Sequence, residues 1–580
     1  MTHATVPPPG PARSPLIFGA PGAQLFGWLH APAGAARTTA VLVCGAIGIE
    51  YVNAHRALRH LADALAARGY FALRFDYPGA GDSAQDETDA GRLAQWTDAV
   101  VAAAALLRER SGCTQVAAVG LRFGGALASL AAQRAGLDEL VLWNSVVSGR
   151  RYVREMRAVA ALAGYKVESG PGQLESAGFV YTADTLRDIQ AVDLLAQPCT
   201  GVRRALFIER DDLGADSSLA EHLSRCGVET TTQRQPGYER MVCESLFTEV
   251  PHAAIEAIGA WLDAGATAPG HAPAPPAAPA ASDAIELGNC RERPLCVGAR
   301  RLFGVLCEPH GEARGPLLVM LNSGVDHHVG PGRLYVKLAR VLAAEGYASV
   351  RLDIGDVGDS APIGADDRNL PYPPRAVDEL VEALPELATL GARPRLVLTG
   401  ICAGAYHAFA VAQRELGVEL PEVILLNPVQ FEPEVAETAS GAADAAAELA
   451  AFERRQRRRK LARAIPGSAP VVDLLRFLRD RLHRARLRIA GWRQRGSAET
   501  ATADALLRVL RRGRRVALLV SPADPGFELL QLEAGAATRA ALRAGTLSVE
   551  VITDADHVFS SEAARARLRA SLLDRLRQLA

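Results

Sequence analysis

The feature that most limits what this chain can become is an internal repeat. Leu25 to Ala84 and Leu302 to Ala361 align without a gap and agree at about four positions in ten. Both stretches open on Leu-Phe-Gly and close on Gly-Asp-Ser-Ala. The repeat distance is far longer than any solenoid unit, so the repeated object is a whole domain. The break between the copies is visible as well. Residues 264–283 read AGATAPGHAPAPPAAPAASD, a composition that buries too little surface to fold and reads as a flexible, partly extended linker. The expected organisation is a Pro-rich disordered leader over 1–13, a domain over 14–263, the linker over 264–283, and a second domain over 284–580.

Each copy has the same grammar. A short apolar strand (Ala40–Cys44; Leu317–Leu321) enters a loop, a helix follows (Arg56–Arg68; Arg333–Glu345), and a second strand closes the unit (Phe71–Phe75; Ala348–Leu352). Strand–loop–helix–strand is the building block of a mostly parallel sheet. Asp76 and Asp353 end the second strands and belong to loops at the carboxyl edge, where they read as turn builders. A third strand (Gln115–Val119; Arg395–Thr399) then runs into a Gly-x-x-x-Gly turn and an Ala-rich helix. The turns are Gly120-Leu121-Arg122-Phe123-Gly124 and Gly400-Ile401-Cys402-Ala403-Gly404. Small residues around a strand-to-helix elbow are what an α/β hydrolase requires. The fold class expected is therefore α/β, with two tandem α/β-hydrolase domains, each a mostly parallel central sheet flanked by helices.

The second elbow carries a nucleophile. A side chain held at a helix amino end meets free N–H groups and the positive end of the dipole, which favours the Cys402 thiolate. Ala403 would supply one oxyanion-hole N–H, and the loop Asn322-Ser323-Gly324 the second, from Ser323 or Gly324. Strand Arg515–Val520 ends near Asp524, and strand Leu547–Thr553 runs into His557. Nucleophile, acid and base thus follow in hydrolase order, as Cys402, Asp524 and His557. Asp554 or Asp556 could replace Asp524. His327 and His328, near the oxyanion loop, are either substrate contacts or ordinary loop polar residues.

The first elbow carries Arg122, which cannot act as a nucleophile. At a helix amino end it needs an anion, and Glu209, Asp211 and Asp212, after strand Ala205–Ile208, are the expected partners. The base position reads Gln235-Pro236-Gly237-Tyr238, without a histidine; His252 comes only at the start of the last helix. This half is either a degenerate structural partner or an anion receptor built on Arg122, Asp211, Asp212 and Tyr238.

These residues resemble a known pair of groups. The first half, with HRALRHLADALAARGYFALRFDYPGAGDS and GLRFGGALA, resembles the exosortase A system-associated hydrolase 2 group. The second, with RLDIGDVGDS, GICAGA and VILLNPVQF, is similar to the companion hydrolase 1 group. The resemblance implies α/β-hydrolase folds and a setting in bacterial exopolysaccharide export and protein sorting.

Several properties bound the function. A net charge of -1 argues against general nucleic-acid binding. No apolar run is long enough to span a bilayer. Nine scattered cysteines without a CxxC pair fit a reducing compartment, so a cytoplasmic location is expected, with no metal. An insertion at about 433–513 carries Arg454, Arg455, Arg457, Arg458, Arg459 and Lys460 and reads as a helical basic cap, either a solvated surface or a docking face for an anionic partner. The function expected is cleavage of a small-molecule ester or thioester, carrier-bound or glycan-linked, without cofactors. The rivals are an acyltransferase of polysaccharide or secondary-metabolite biosynthesis and a non-catalytic scaffold.

Overall fold

The computed structural model describes residues 12–163, 170–198, 201–212, 216–265, 284–360, 362, 369–431, 498–522 and 524–580. Most of the linker, most of the leader and most of the basic insertion lie outside the described residues. Two expected boundaries shift. Strand β1 (Ala12–Phe18) begins inside the supposed leader, because Arg13 is anchored by an ion pair to Asp63. The helix His252–Gly265 takes in the first two residues of the supposed linker.

The first domain adds β2 (Leu25–Ala31), β3 (Thr39–Cys44), β4 (Ala72–Phe75), β5 (Gln115–Leu121), β6 (Glu139–Trp143), a small hairpin of β7 (Leu174–Ser176) and β8 (Phe179–Tyr181), then β9 (Arg204–Arg210) and β10 (Glu229–Gln235). The main sheet runs β1-β2-β4-β3-β5-β6-β9-β10, antiparallel at β1 and β2 and parallel beyond. The second domain has β11 (Ile285–Glu286), β12 (Cys290–Val297), β13 (Leu302–Pro309), β14 (Leu317–Leu321), β15 (Ser349–Leu352), β16 (Arg395–Ile401), β17 (Glu419–Leu426), β18 (Arg515–Val520) and β19 (Leu547–Val551). Its order, β11-β12-β13-β15-β14-β16-β17-β18-β19, repeats the first with one added edge strand. Strands β3 and β14 are buried along their whole length, as strands covered by helices on both faces must be. The fold expected from the repeat is thus the fold observed, twice.

The two domains pack through equivalent surfaces, an arrangement the repeat alone did not reveal. Phe26 and Phe303 occupy the same position in the two copies, and their ring centroids lie 6.3 Å apart, with Trp28 4.7 Å from Phe303. Arg74 of the first domain pairs with Asp359 of the second at 2.8 Å. The equivalent residues pair in the opposite sense, Arg351 with Asp82 at 2.9 Å. A contact in which i meets j and j meets i is isologous, the signature of a two-fold interface. The chain is therefore built like a homodimer joined into one polypeptide.

Candidate active site

The elbow at Cys402 follows from its glycines. A Cβ on Gly400 would lie 2.6 Å from the Gly404 carbonyl carbon, and one on Gly404 would lie 2.5 Å from the Asn322 carbonyl oxygen. Strand, turn and helix can approach this closely only without side chains. Cys402 itself is left at φ 57°, ψ -111°, a conformation that costs a non-glycine residue about 1–3 kcal/mol. Its N–H donates to the Leu426 carbonyl at 3.0 Å, and the Tyr335 hydroxyl accepts from Ile401 N–H at 3.0 Å. Those bonds, with the packing of both flanks, hold the strained turn.

Helix Ala403–Ala412 starts at the next residue, so the Ala403 N–H has no intrahelical acceptor. The loop after β14, whose Asn322 carbonyl abuts Gly404, carries Ser323 and Gly324, whose N–H groups donate to no acceptor among the described residues. The loop is shaped by Asn322, whose Nδ2 donates to Asp353 at 2.7 Å while its Oδ1 accepts from Ile354 N–H at 2.8 Å.

His557 Nδ1 lies 2.7 Å from Asp524 Oδ2. The Asp524 side chain is 1 % exposed, and its other oxygen accepts from Gly526 N–H at 3.0 Å. The alternative carboxylates are used elsewhere. Asp554 pairs with Arg567 at 2.9 Å, and Asp556 accepts from Ser560 N–H at 2.8 Å. Asn427 fastens the two loops together, donating to the His557 carbonyl at 2.8 Å and accepting from Ser521 N–H at 2.7 Å. His557 Nε2 is buried and makes no hydrogen bond of good geometry among the described residues, although the Cys402 thiol is close enough to act on the ring. Burial alone would push the imidazole pKa down; Asp524 and Cys402 together hold it well above the ordinary histidine value.

Aromatic residues wall the site in a way the sequence did not announce. Tyr372 meets Tyr406 edge to face at 5.2 Å, and Tyr406 meets His407 at 5.2 Å. Burial lifts the Tyr372 phenol well above its usual range, with Cys402 and Tyr406 adding to the effect. Tyr406 sits one helical turn beyond Cys402, a spacing that could have flagged it.

The first elbow has the same strained backbone, with Arg122 at φ 53°, ψ -120°. Its guanidinium, however, donates to Glu50 at 2.7 Å and to Glu155 at 2.6 Å, and the three expected partners are not used. Asp212 instead pairs with Arg210, and both Asp211 and Asp212 are exposed. Of the four residues expected here, only Arg122 and Tyr238 are buried together, with Arg210 stacked over the Tyr238 ring at 4.5 Å. Burial would lower the Arg122 pKa; Glu50 and its neighbours raise it instead. The missed residue Glu50 lies at the position equivalent to His327 in the repeat.

His327 and His328 face the first domain. His327 stacks on His55 at 4.0 Å, and burial lowers the pKa of both rings, that of His327 well below the ordinary histidine value. His328 bridges Asp353 at 2.8 Å and Asp82 at 2.6 Å. His328, Asp353 and Asp359 converge closely enough to suggest a cation, but both His328 nitrogens are held by carboxylates and Asp359 by Arg74, so the cluster is internally paired. Asp76 and Asp353 are turn builders as expected, accepting from the N–H groups of Asp82 at 3.0 Å and Asp359 at 2.9 Å.

Two family models agree with the observed fold. A family model described as serine aminopeptidase, S33, matches residues 48–194, and the alpha/beta hydrolase family model matches residues 318–570. Among solved structures, Est1E from Butyrivibrio proteoclasticus is 15 % identical, covering 43 % of this chain and 98 % of its own, with a TM-score of 0.33. A thermostable carboxyl esterase from Bacillus coagulans is 13 % identical, covering 44 % and 98 %, with a TM-score of 0.33. No curated protein matches the chain. Among the described residues, no helix is long and apolar enough to cross a membrane.

Proposed function

We propose that this tandem α/β-hydrolase protein cleaves an ester or thioester through Cys402, His557 and Asp524 of its second domain, while the first domain is non-catalytic. The observation that carries this reading is the pairing of His557 with Asp524 at 2.7 Å beside a strained elbow cysteine. His557 takes the Cys402 proton, and Asp524 stabilises the resulting imidazolium. The thiolate attacks the carbonyl carbon, forming the S–C bond, and the oxyanion is met by N–H groups from Ala403 and the Ser323–Gly324 loop. As the intermediate collapses, the C–O or C–S bond breaks and the imidazolium gives its proton to the leaving group. Water, deprotonated by His557, then cleaves the S-acyl bond and restores the thiol.

The first domain is read as non-catalytic because Arg122 occupies the nucleophile position and its charge is neutralised by Glu50 and Glu155. The resemblance to exosortase-associated hydrolases makes glycan-linked and carrier-bound esters the first substrates to try. The test is intact-mass analysis after mixing with p-nitrophenyl acetate. An acetyl adduct is expected on Cys402, absent in Cys402→Ala. No adduct on wild-type protein, together with indifference of Cys402 to iodoacetamide at neutral pH, sinks the reading and leaves a scaffold. An adduct that resists water but is discharged by a glycan or amine acceptor makes the protein a transferase.

A further inference from the structure

We propose that Asp82, in the first domain, is a positioning residue for the oxyanion loop of the second domain and acts through His328. The inference rests on the catalytic reading of Cys402. The loop from Asn322 to Arg333 carries Ser323 and Gly324, and the first domain grips it at three places. His328 Nε2 lies 2.6 Å from Asp82. His327 stacks on His55 at 4.0 Å, with its Nε2 3.2 Å from the Tyr51 hydroxyl. The Arg333 guanidinium donates to the carbonyls of Gly81 at 2.9 Å, Ser83 at 2.5 Å and Gln85 at 3.0 Å. Ser323 and Gly324 therefore stand on a segment whose far end is fixed by the other domain.

The link from Asp82 to the oxyanion N–H groups is short. Asp353 Oδ2 lies 2.8 Å from His328 Nδ1, and Asp353 Oδ1 accepts from His328 N–H at 2.6 Å and from Asn322 Nδ2 at 2.7 Å. Asn322 immediately precedes Ser323. His328 is thus an ionic bracket between a carboxylate of each domain, and one of those carboxylates also sets Asn322.

Comparison of the two copies separates this bracket from ordinary interface cohesion. The Arg–Asp pairs are reciprocal across the pseudo-two-fold, but the histidine bracket is not. Tyr51 stands where His328 stands in the other copy, and its hydroxyl donates to its own domain's Asp76 at 2.8 Å. Asp359, the counterpart of Asp82, meets Arg74 at 2.8 Å and His55 at 3.3 Å. Asp359 thus reaches the equivalent segment of the first domain through His55, but among the described residues only the domain with a cysteine elbow has one histidine joining its own carboxylate to the other domain's beneath the oxyanion loop. An interface that merely holds two bodies together has no reason for that asymmetry.

The groups facing His328 are Asp82, with Arg351 behind it; Asp353 and Asp359; His327 at 5.4 Å; and the Phe303 ring edge at 5.1 Å. Burial alone would lower the His328 pKa, but Asp82 and Asp353 raise it well above the ordinary value, so the bracket stays charged through neutrality. Asp82→Asn removes one of the two charges and moves His328 back toward neutrality.

The experiment compares Asp82→Asn with Arg74→Met in the full chain. Arg74→Met breaks the mirrored ion pair and leaves both carboxylate contacts of His328, to Asp82 and to Asp353, in place. With p-nitrophenyl acetate, Asp82→Asn is expected to lower kcat about 10–100-fold at nearly constant KM, because a misplaced oxyanion donor weakens the transition state rather than substrate binding. It also gains a new loss of kcat as pH rises, as His328 loses its proton. Alkylation of Cys402 by iodoacetamide, which needs no oxyanion hole, stays at the wild-type rate, and Arg74→Met retains wild-type kcat. Equal kcat losses in both variants, or wild-type kcat and pH profile in Asp82→Asn, overturn the inference while leaving the catalytic reading intact. A wild-type protein that forms no acyl-Cys402 overturns both.

Discussion

Asp524→Asn is the substitution that bears most directly on the proposed chemistry, and the structure dictates how the new amide must sit. Asp524 Oδ1 accepts from the Gly526 N–H at 3.0 Å, and Oδ2 faces His557 Nδ1 at 2.7 Å. In the variant the amide oxygen keeps the Gly526 bond, since a buried N–H left without an acceptor costs about 1–3 kcal/mol. The amide nitrogen then points at His557 Nδ1 and donates to it. That fixes the imidazole proton on Nε2, the nitrogen that must accept from Cys402. With the wrong tautomer and no buried carboxylate to stabilise an imidazolium, kcat should fall about 10³- to 10⁴-fold, equivalent to about 4–5.5 kcal/mol of barrier. KM should barely move, because Asp524 touches no substrate. The assay is the pre-steady-state burst of p-nitrophenol, which reads acylation directly. The alkylation profile provides a second check. Burial lowers the wild-type His557 pKa, and the hydrogen bond to Asp524 is the largest single effect raising it, so the variant should lose its imidazolium at lower pH. A burst rate within tenfold of wild type would refute the assignment of Asp524 as the residue that orients His557.

Gly404→Ala places a Cβ 2.5 Å from the Asn322 carbonyl and 2.8 Å from that of Leu321, so acylation should drop at least about 100-fold; a wild-type burst would contradict the elbow geometry. Arg122→Met leaves Glu50 without its buried cation and should destabilise the protein by about 2–4 kcal/mol in urea unfolding, with the kcat of the second domain unchanged. Burial and Asp82 raise the Asp76 pKa to about 7, so the folded state holds a proton that the unfolded state releases. The contribution of Asp76 to stability should therefore fall as pH rises from about 4 to about 7, against the opposite trend of the buried neutral histidines, and Asp76→Asn should remove that component, so that denaturation midpoints of the variant relative to wild type rise over this window. Cutting the chain at a protease site placed within 266–283 should leave the halves co-eluting on size exclusion, because the Arg74–Asp359 and Arg351–Asp82 pairs and the Phe26–Trp28–Phe303 cluster do not need the linker.

How much of this was readable beforehand depends on whether a feature is local or relational. The elbows were readable because glycines at fixed offsets from an apolar strand allow little besides a tight strand-to-helix turn. The order Cys402, Asp524, His557 was readable because the topology delivers successive strand ends to one edge. The partners of Arg122 were not. Glu50 precedes it by 72 residues and Glu155 follows it by 33, and nothing in their neighbourhoods marks them as converging on one guanidinium. Asp211 and Asp212 looked better placed because they follow the strand that usually carries the acid, but both are exposed and Asp212 is taken by its neighbour Arg210.

The sequence by itself determined that two copies of one domain exist, that each has a sheet with a strained elbow, and that only one elbow bears a nucleophile. Those properties are written in residue type and spacing, which local sterics translate into backbone. Only the tertiary structure decided what the copies do for each other. Asp82 and Arg351 are unremarkable loop and strand residues until two similar surfaces meet face to face, when each finds its complement on the other domain. That pairing, and the bracket it places on His328 beneath the oxyanion loop, depends on distances between residues more than two hundred positions apart. No local pattern encodes such distances, because they are set by how the two finished domains pack.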